Sequence, residues 1–169
     1  MGVETPEPVA SSTRFRPILG GDAYLTRVVF YKERSFSREQ FRDFMFAQWQ
    51  AHEDMIQLVR ALRGYRGLRV DVISNEGREL AEFRSRKFGV TECIDFFIYP
   101  SFVHFRKPDE DIYRVALDVS QTPPELSVYV EDRAMLVDVA RGLGMHGIVH
   151  TGIESTRKAL AELGLTPAR

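Results

Sequence analysis

From residue 68 onward, short strand-like runs alternate with amphipathic helical segments. Strand-like runs occupy 68–73, 95–99, 126–130 and 147–150, and helical periodicity follows them at 78–88, 108–119, 134–143 and 154–163. The links between these segments are short. This alternation predicts an α/β fold, in which a parallel sheet is built by right-handed crossovers and has helices on both faces. Chemistry in such sheets lies beyond the carboxyl ends of the strands.

The first 64 residues follow a different, mainly helical pattern. Residues 1–13 are rich in Pro, Ser and Glu and are expected to be disordered. Ser37 and Gln40 form a capping-box pattern that predicts a helix start, and apolar residues recur at helical spacing after it. A second helix is predicted over 53–62. The chain therefore divides into a disordered N-terminus (1–13), a helical region (14–64) and an α/β core (65–169).

The composition excludes several classes of function. The 169 residues carry a formal net charge of −1, so no basic surface argues for nucleic acid. The sequence has neither an apolar signal segment nor a run of about 18 apolar residues that would cross a membrane. Cys93 is the only cysteine, which rules out an intramolecular disulfide and a cysteine-rich zinc site. We therefore expect a cytoplasmic protein with neither nucleic acid nor membrane as a partner.

Polar and charged side chains follow three of the predicted strands. Ser74 and Asn75 follow the first strand, Lys107 follows the second across a short loop, and Glu131 and Asp132 follow the third. Because the carboxyl ends of parallel strands share one edge, these side chains should face a common crevice. A hydroxyl and an ammonium group suit a phosphate, whereas two carboxylates suit Mg²⁺.

Segments around these residues resemble motifs of the haloacid dehalogenase-like (HAD) hydrolase superfamily. Residues 72–77 (VISNEG) resemble the second motif, 105–113 (FRKPDEDIY) the lysine motif, and 128–133 (VYVEDR) the acidic fourth motif. Residues 140–148 (ARGLGMHGI) are similar to the usual continuation, and the resemblance covers about residues 50–165. It implies a Rossmann-like three-layer core with a helical cap and a Mg²⁺-dependent phosphohydrolase activity on a small phosphate ester.

The resemblance also implies a role for each strand-end residue. Ser74 and Asn75 would bind the phosphate, and Lys107 would be the catalytic charge that steadies the nucleophile and the phosphoryl group. Glu131 and Asp132 would be the metal-facing acids for Mg²⁺. An alternative stays open for each: the serine–asparagine pair and the acidic pair could cap the following helices, and the lysine could lie on the surface.

The family's nucleophile is not found in its expected place. The reaction of the family starts with an aspartate at the end of the first strand, in the pattern Asp-x-Asp-x-Thr. No apolar strand followed by that pattern occurs before Ser74. Residues 21–49 look instead like part of the helical cap. We therefore expect the chain to begin inside the cap, to lack the first central strand, and to have little or no hydrolase activity as a truncated or degenerate domain.

Two other interpretations of the chain remain. Residues 22–26 (DAYLT) resemble the form of the first motif found in haloacid dehalogenases, which would make Asp22 a nucleophile. Against this, Pro17, Gly20 and Gly21 interrupt any strand that would lead to Asp22. The remaining interpretation is a non-catalytic HAD-derived domain that serves binding or assembly.

The expected loss of a central strand has a consequence for association. The strands at 68–73 and 126–130 should either have unpaired edges or pair with each other. Open apolar edges invite contact with other chains. We therefore expect a homodimer, aggregation, or recruitment of residues 14–19 as a substitute strand.

Overall fold

The computed structural model describes residues 21–48 and 50–166. The predicted disorder at 1–13 lies outside these residues. The described part contains the helices α1 (Gly21–Val28), α2 (Arg38–Ala47), α3 (Glu53–Leu62), α4 (Arg78–Lys87), α5 (Pro100–Val103), α6 (Glu110–Ser120), α7 (Ala134–Gly142) and α8 (Ile153–Glu162), and the strands β1 (Asp71–Ile73), β2 (Phe96–Ile98), β3 (Val128–Glu131) and β4 (His146–Val149). No helix in this part has the length and apolar character needed to span a bilayer.

The four strands form two parallel pairs. β1 pairs with β2, with Asp71 opposite Phe96, and β3 pairs with β4, with Val128 opposite His146. Among the described residues, β1 and β3 are not hydrogen bonded to each other and no strand precedes β1. The predicted α/β class with parallel strands is confirmed. The predicted pairing of the strands at 68–73 and 126–130 with each other is thus not seen among the described residues, and residues 14–19 lie outside them.

Helices cover both faces of the strands. On one face, α6 and α7 bury Ile112 and Val137 completely, and these residues share a hydrophobic cluster with Tyr129 of β3. On the other face, α3 and α8 contribute Leu58 and Leu160 to a second cluster. Because successive side chains of a strand point to opposite faces, β3 supplies both clusters. The result is the three-layer arrangement that the alternation of strands and helices predicts.

Gly147 allows α7 to lie directly against β4. A Cβ atom at this position would stand 2.6 Å from Val137 Cγ1 and 2.7 Å from Arg141 Cγ. The Arg141 guanidinium also donates a hydrogen bond to the Gly147 carbonyl at 2.9 Å. The absence of a side chain therefore sets the spacing between α7 and β4.

Several element boundaries differ from the prediction. The helix predicted to start at Pro108 begins at Glu110, so the placement of Pro108 in its first turn is wrong. Residues 106–109 form a turn instead, in which the Asp109 N–H donates to the Arg106 carbonyl at 2.8 Å. β1 is shorter than predicted because the Val70 N–H donates to a side chain, Asp95 Oδ2, at 2.7 Å.

The helical region before β1 contains the predicted capping box. The Gln40 N–H donates to Ser37 Oγ at 3.1 Å, and the Ser37 N–H donates to Gln40 Oε1 at 2.8 Å. Phe46, at the end of α2, stacks on Phe83 of α4 with 4.1 Å between ring centroids. The two contacts define the start of α2 and attach its end to the α/β core. The assignment of residues 14–64 to a cap remains a prediction.

Candidate active site at the carboxyl edge of the strands

Lys107 is held at the carboxyl edge by two side chains of β3. Its Nζ donates to Glu131 Oε2 at 2.5 Å and to Tyr129 Oη at 3.2 Å, and the tyrosine hydroxyl donates to the same carboxylate oxygen at 3.1 Å. Only 10% of the Lys107 side chain and 13% of the Glu131 side chain are exposed. An ammonium group has three N–H donors, and these two contacts use two of them. The third donor can serve a bound anion.

Asn75 fixes the backbone of Lys107 from the opposite side. Asn75 Nδ2 donates to the Lys107 carbonyl at 2.8 Å, and the Lys107 N–H donates to Asn75 Oδ1 at 2.7 Å. The peptide bond between Lys107 and Pro108 is cis. Both ends of the asparagine amide are engaged in this pair of bonds. The structure therefore gives Asn75 a positioning role, and its predicted contact with phosphate stays a prediction.

Ser74 lies at the same edge, directly after β1. Its N–H donates to the Ile98 carbonyl at 3.0 Å, which continues the hydrogen bonding between β1 and β2. Its Oγ accepts from the Glu76 N–H at 3.2 Å. A hydroxyl that accepts in this way keeps its hydrogen for donation to a ligand. Ser74 is thus next to the Asn75–Lys107 contact, as the order of the strand ends predicts.

The alternative roles as helix caps do not agree with the structure. The N-cap of α4 is Gly77, two residues after Asn75, and no side chain caps the helix. The N-cap of α7 is Arg133, which also makes no side-chain cap bond. Lys107 is not a surface lysine, since nine-tenths of its side chain is buried. The strand-end residues therefore do not serve as helix caps.

Glu131 and Asp132 titrate as a pair. Burial raises the pKa of Glu131, but hydrogen bonds from Asp132 and Lys107, with the charge of Lys107, outweigh burial and lower the pKa to about 2. The hydrogen bond to Glu131 raises the pKa of Asp132, and burial and the charge of Glu131 act in the same direction. Burial and the Glu131 charge also raise the pKa of Tyr129, so its hydroxyl stays protonated. The two carboxyls compete for a proton in a place that suits a cation.

The donor set for a metal ion consists of these two acids. Within residues 21–48 and 50–166, no group of three or more His, Cys, Asp or Glu side chains is arranged to hold a metal. Mg²⁺ is usually bound by one or two carboxylates together with water and substrate oxygens. Glu131 and Asp132 therefore fit Mg²⁺ and do not fit an all-protein site for a softer metal.

The sequence analysis did not identify Tyr129 as a member of the site. Its hydroxyl contacts both Lys107 and Glu131. The signal was available, because residues two apart on a strand point to the same face, and Tyr129 precedes Glu131 by two. The Asn75 contact with the Lys107 backbone could not be predicted, since it depends on how two loops fold toward each other.

Asp22 lies in the first turn of α1. A nucleophile of the family's first motif would follow a β-strand, whereas Asp22 lies in a helix, and the residues before Gly21 lie outside the described part of the chain. The helical position gives no support to Asp22 as the attacking group.

Comparison with known proteins places these residues in a family context. Residues 10–144 match the protein family described as haloacid dehalogenase-like hydrolase. The chain is 30% identical over 116 residues to haloacid dehalogenase-like hydrolase domain-containing protein 3 of Mus musculus. That match covers 68% of this chain and 45% of the mouse protein, so the chain spans less than half the length of this relative.

Solved structures share the fold. A predicted HAD-like family hydrolase from Porphyromonas gingivalis superposes with a TM-score of 0.69 at 18% identity, over 87% of this chain and 74% of that protein. A HAD family hydrolase from Deinococcus radiodurans, with bound phosphate and sodium, has a TM-score of 0.57 at 25% identity. That match covers 91% of this chain and 81% of the Deinococcus protein.

Proposed function

This chain belongs to the haloacid dehalogenase-like hydrolases, and we propose that its carboxyl-edge site binds the phosphate group of a small phosphate ester together with Mg²⁺. The observation that carries the proposal is the Lys107 ammonium, which is nine-tenths buried, fixed by three residues, and still has one N–H donor to offer. The bound phosphate in the Deinococcus relative supports the same class of ligand.

The residues of the site would divide the work as follows. The third N–H of Lys107 and the hydroxyl of Ser74 would donate to phosphate oxygens, and Asn75 would keep Lys107 in place through its backbone. Glu131 neutralises much of the Lys107 charge at 2.5 Å. A cation shared by Glu131 and Asp132 would free more of that charge for the phosphate.

Mg²⁺ would be held by Glu131 and Asp132. When bound, Mg²⁺ supplies Lewis-acid stabilisation of the negative charge that develops on a transferred phosphoryl group. The protein's own contribution is orientation, because Tyr129 and Lys107 fix the Glu131 carboxylate before any ligand arrives. Preorganised donors of this kind need little rearrangement when the ligand binds.

We further propose that this chain hydrolyses phosphate esters slowly or not at all. Among the described residues, no carboxylate follows a strand that precedes β1, the place from which the family's nucleophile attacks. Binding and electrostatics without a positioned nucleophile retain only a small part of an enzyme's acceleration. The chain then acts mainly as a phosphate-binding domain, the non-catalytic alternative. A dehalogenase that uses Asp22 is the less favoured alternative because Asp22 lies in α1.

The expected partners follow from this assignment. A small phosphorylated molecule is the proposed ligand, whereas nucleic acid and membranes are not expected because the net charge is −1 and the described helices do not span a bilayer. The cytoplasmic location and the homodimer remain predictions.

Phosphate binding and turnover can be tested separately. Calorimetry with inorganic phosphate and Mg²⁺ should detect binding to the parent chain and loss of binding in Lys107→Ala. Lys158→Ala, on the exposed surface of α8, is the matched control and should bind normally. Absence of binding by the parent chain, or equal binding by Lys107→Ala, would refute the phosphate site.

Turnover of p-nitrophenyl phosphate with Mg²⁺ should stay at background in the parent chain, Lys107→Ala and Asp22→Asn. Robust turnover that disappears in Asp22→Asn would make Asp22 the nucleophile and overturn the proposal of low activity. Turnover that survives Asp22→Asn but is lost in Lys107→Ala would show that another group attacks.

A further inference from the structure

An ion pair lies next to Ser74, in the segment that joins β1 to α4. The Arg84 guanidinium of α4 donates to the Glu76 carboxylate, and 33% of the arginine side chain and 22% of the glutamate side chain are exposed. The partners are eight residues apart, so this pair is not one of the i to i+4 contacts that are common on helix surfaces. It connects the body of α4 to the segment that precedes the helix.

The same glutamate contacts Ser74 through its backbone. The Glu76 N–H donates to Ser74 Oγ at 3.2 Å, and the Ser74 N–H donates to the Ile98 carbonyl at 3.0 Å. The backbone of Ser74 is thus fixed by β2, and its main remaining freedom is rotation of the hydroxyl among three staggered positions. The bond from Glu76 selects one of these positions and leaves the hydroxyl hydrogen for a ligand.

The segment between Ser74 and α4 gains little support from packing at its end. Its last residue, Gly77, is exposed, and a Cβ atom there would meet no other described atom within 4 Å. Within the described residues, no side chain caps the N-terminus of α4, so the usual means of fixing such a segment is not used here. The ion pair between Glu76 and Arg84 therefore fixes the conformation of Glu76.

The packing of α4 holds the arginine in place. Ala81 and Ser85 of this helix are buried, with 3% and 7% of their surface exposed. Phe83 stacks on Phe46 of α2 with 4.1 Å between ring centroids. Side chains of a helix lean toward its N-terminus, which is the direction in which Arg84 reaches Glu76. The position of the guanidinium is therefore set by the packing of α4.

We propose that Arg84 is a positioning residue of the phosphate site, which acts through Glu76 to orient the Ser74 hydroxyl toward the ligand. This inference rests on the proposed phosphate-binding function. Two consecutive residues then have parallel tasks. Asn75 fixes the backbone of Lys107, and Glu76 fixes the hydroxyl of Ser74. Arg84 touches neither the phosphate donors nor the acidic pair, and its effect on binding passes through the Glu76 backbone.

Opposite changes of charge separate orientation from simple electrostatics. Arg84→Met removes a positive charge near the site, and Glu76→Ala removes a negative one. Electrostatics alone would weaken phosphate binding in the first variant and strengthen it in the second. If the Ser74 hydroxyl is released to three positions, both variants should weaken the binding of inorganic phosphate with Mg²⁺ by about threefold in calorimetry. Tighter binding by Glu76→Ala would overturn the proposal.

Ser74→Ala supplies a second comparison, because an absent hydroxyl needs no orientation. Arg84→Met should weaken phosphate binding about threefold in the parent chain and have almost no effect in Ser74→Ala. Arg86→Met is the matched control, since it removes an exposed arginine of the same helix and its 4.0 Å contact with Glu82, and it should bind phosphate as the parent chain does. An equal loss with and without the Ser74 hydroxyl would give Arg84 a general structural role and overturn the proposal.

Hydrogen exchange tests the orientation of Ser74 without any ligand. The Glu76 amide should exchange about threefold faster in Arg84→Met, whereas the Ala81 amide, which donates to the Gly77 carbonyl at 3.1 Å, should keep its parent rate. Faster Glu76 exchange in a chain that binds no phosphate would refute the phosphate function and support the orientation of Ser74 by Arg84. Phosphate binding by the parent chain, with unchanged Glu76 exchange in Arg84→Met, would refute the role of Arg84 alone.

Discussion

Glu131 lies in β3 and Asp71 in β1, and both are partly buried. Their pKa values are nevertheless shifted in opposite directions. At the carboxyl edge, Lys107, Tyr129 and Asp132 donate to Glu131, and its pKa falls to about 2. In β1, burial raises the pKa of Asp71 to about 6, the charge of Asp95 raises it further, and the charge of Arg69 lowers it only in part. Burial acts in the same direction on both acids, so the number of organised donors decides the outcome. Glu131 has organised donors at the carboxyl edge, whereas Asp71 Oδ1 is buried and accepts no hydrogen bond within the described residues.

Removal of the Lys107 ammonium from the carboxyl edge should have the largest effect on stability. Lys107→Met keeps the length of the side chain but leaves the Glu131 carboxylate largely buried without its charge partner. We expect the free energy of unfolding to fall by about 3 kcal/mol in urea denaturation. Adding Glu131→Gln should restore most of the loss because it removes the unpaired charge. A double variant as unstable as Lys107→Met would show that the ion pair is not what stabilises this end.

Loss of the two hydrogen bonds between Asn75 and the Lys107 backbone should have the next largest effect on stability. Asn75→Ala removes two hydrogen bonds, of 2.8 and 2.7 Å, and should lower the unfolding free energy by about 2 kcal/mol. It should also weaken phosphate binding, since Lys107 loses its support. Gln121→Ala, which removes a single exposed side-chain bond outside the site, is the control. Normal phosphate binding by Asn75→Ala would contradict the positioning role.

The ionisation of Asp71 can be examined through the pH dependence of the protein's stability. A carboxyl whose pKa is raised by folding stabilises the protein at low pH. That contribution is lost as the pH rises from the ordinary value of 3.8 through about 6. The parent chain should therefore lose about 1 kcal/mol of unfolding free energy between pH 4 and pH 6 in urea titrations, and Asp71→Asn should abolish the loss. Equal losses in the parent chain and in Asp71→Asn would show that another group titrates in this range.

The smallest effect is expected at the tyrosine. Tyr129→Phe removes the hydroxyl between Lys107 and Glu131 but keeps the ring, which packs edge-on against Tyr113 at 5.2 Å. We expect a loss of about 0.5 kcal/mol, because the direct Lys107–Glu131 bond remains. A loss as large as that of Lys107→Met would show that the hydroxyl is required to hold the ion pair.

The sequence predicted the carboxyl edge better than the surroundings of Asp71. The proximity of Lys107 and Glu131 could be predicted because the carboxyl ends of parallel strands share one edge of the sheet. The Asn75 contact and the turn at residues 106–109 could not be predicted, because both depend on loop geometry. Patterns of β-branched residues also overestimated the length of β1, because the N–H of Val70, the residue before β1, donates to the Asp95 side chain.

The edges of β1 and β3 and the environment of Asp71 could be predicted from the sequence only in part. Counting strands predicts that β1 and β3 each have only one strand neighbour unless residues 14–19 supply another, and within residues 21–48 and 50–166 each has one. Asp71 did not stand out in the sequence, because it lies inside a run of apolar and β-branched residues. Only the packing of β1 against α6 reveals that one of its carboxylate oxygens is buried and accepts no hydrogen bond from the described residues.

Gly147 has no functional group, yet its position should be intolerant of substitution. Any side chain at this position would push Val137 and Arg141 outward, and α7 begins two residues after Asp132. A displaced helix would carry the acidic pair with it. In a library randomised at position 147 and sorted for phosphate binding, we expect glycine to dominate the recovered clones. The survivors with alanine should carry a second, smaller residue at position 137.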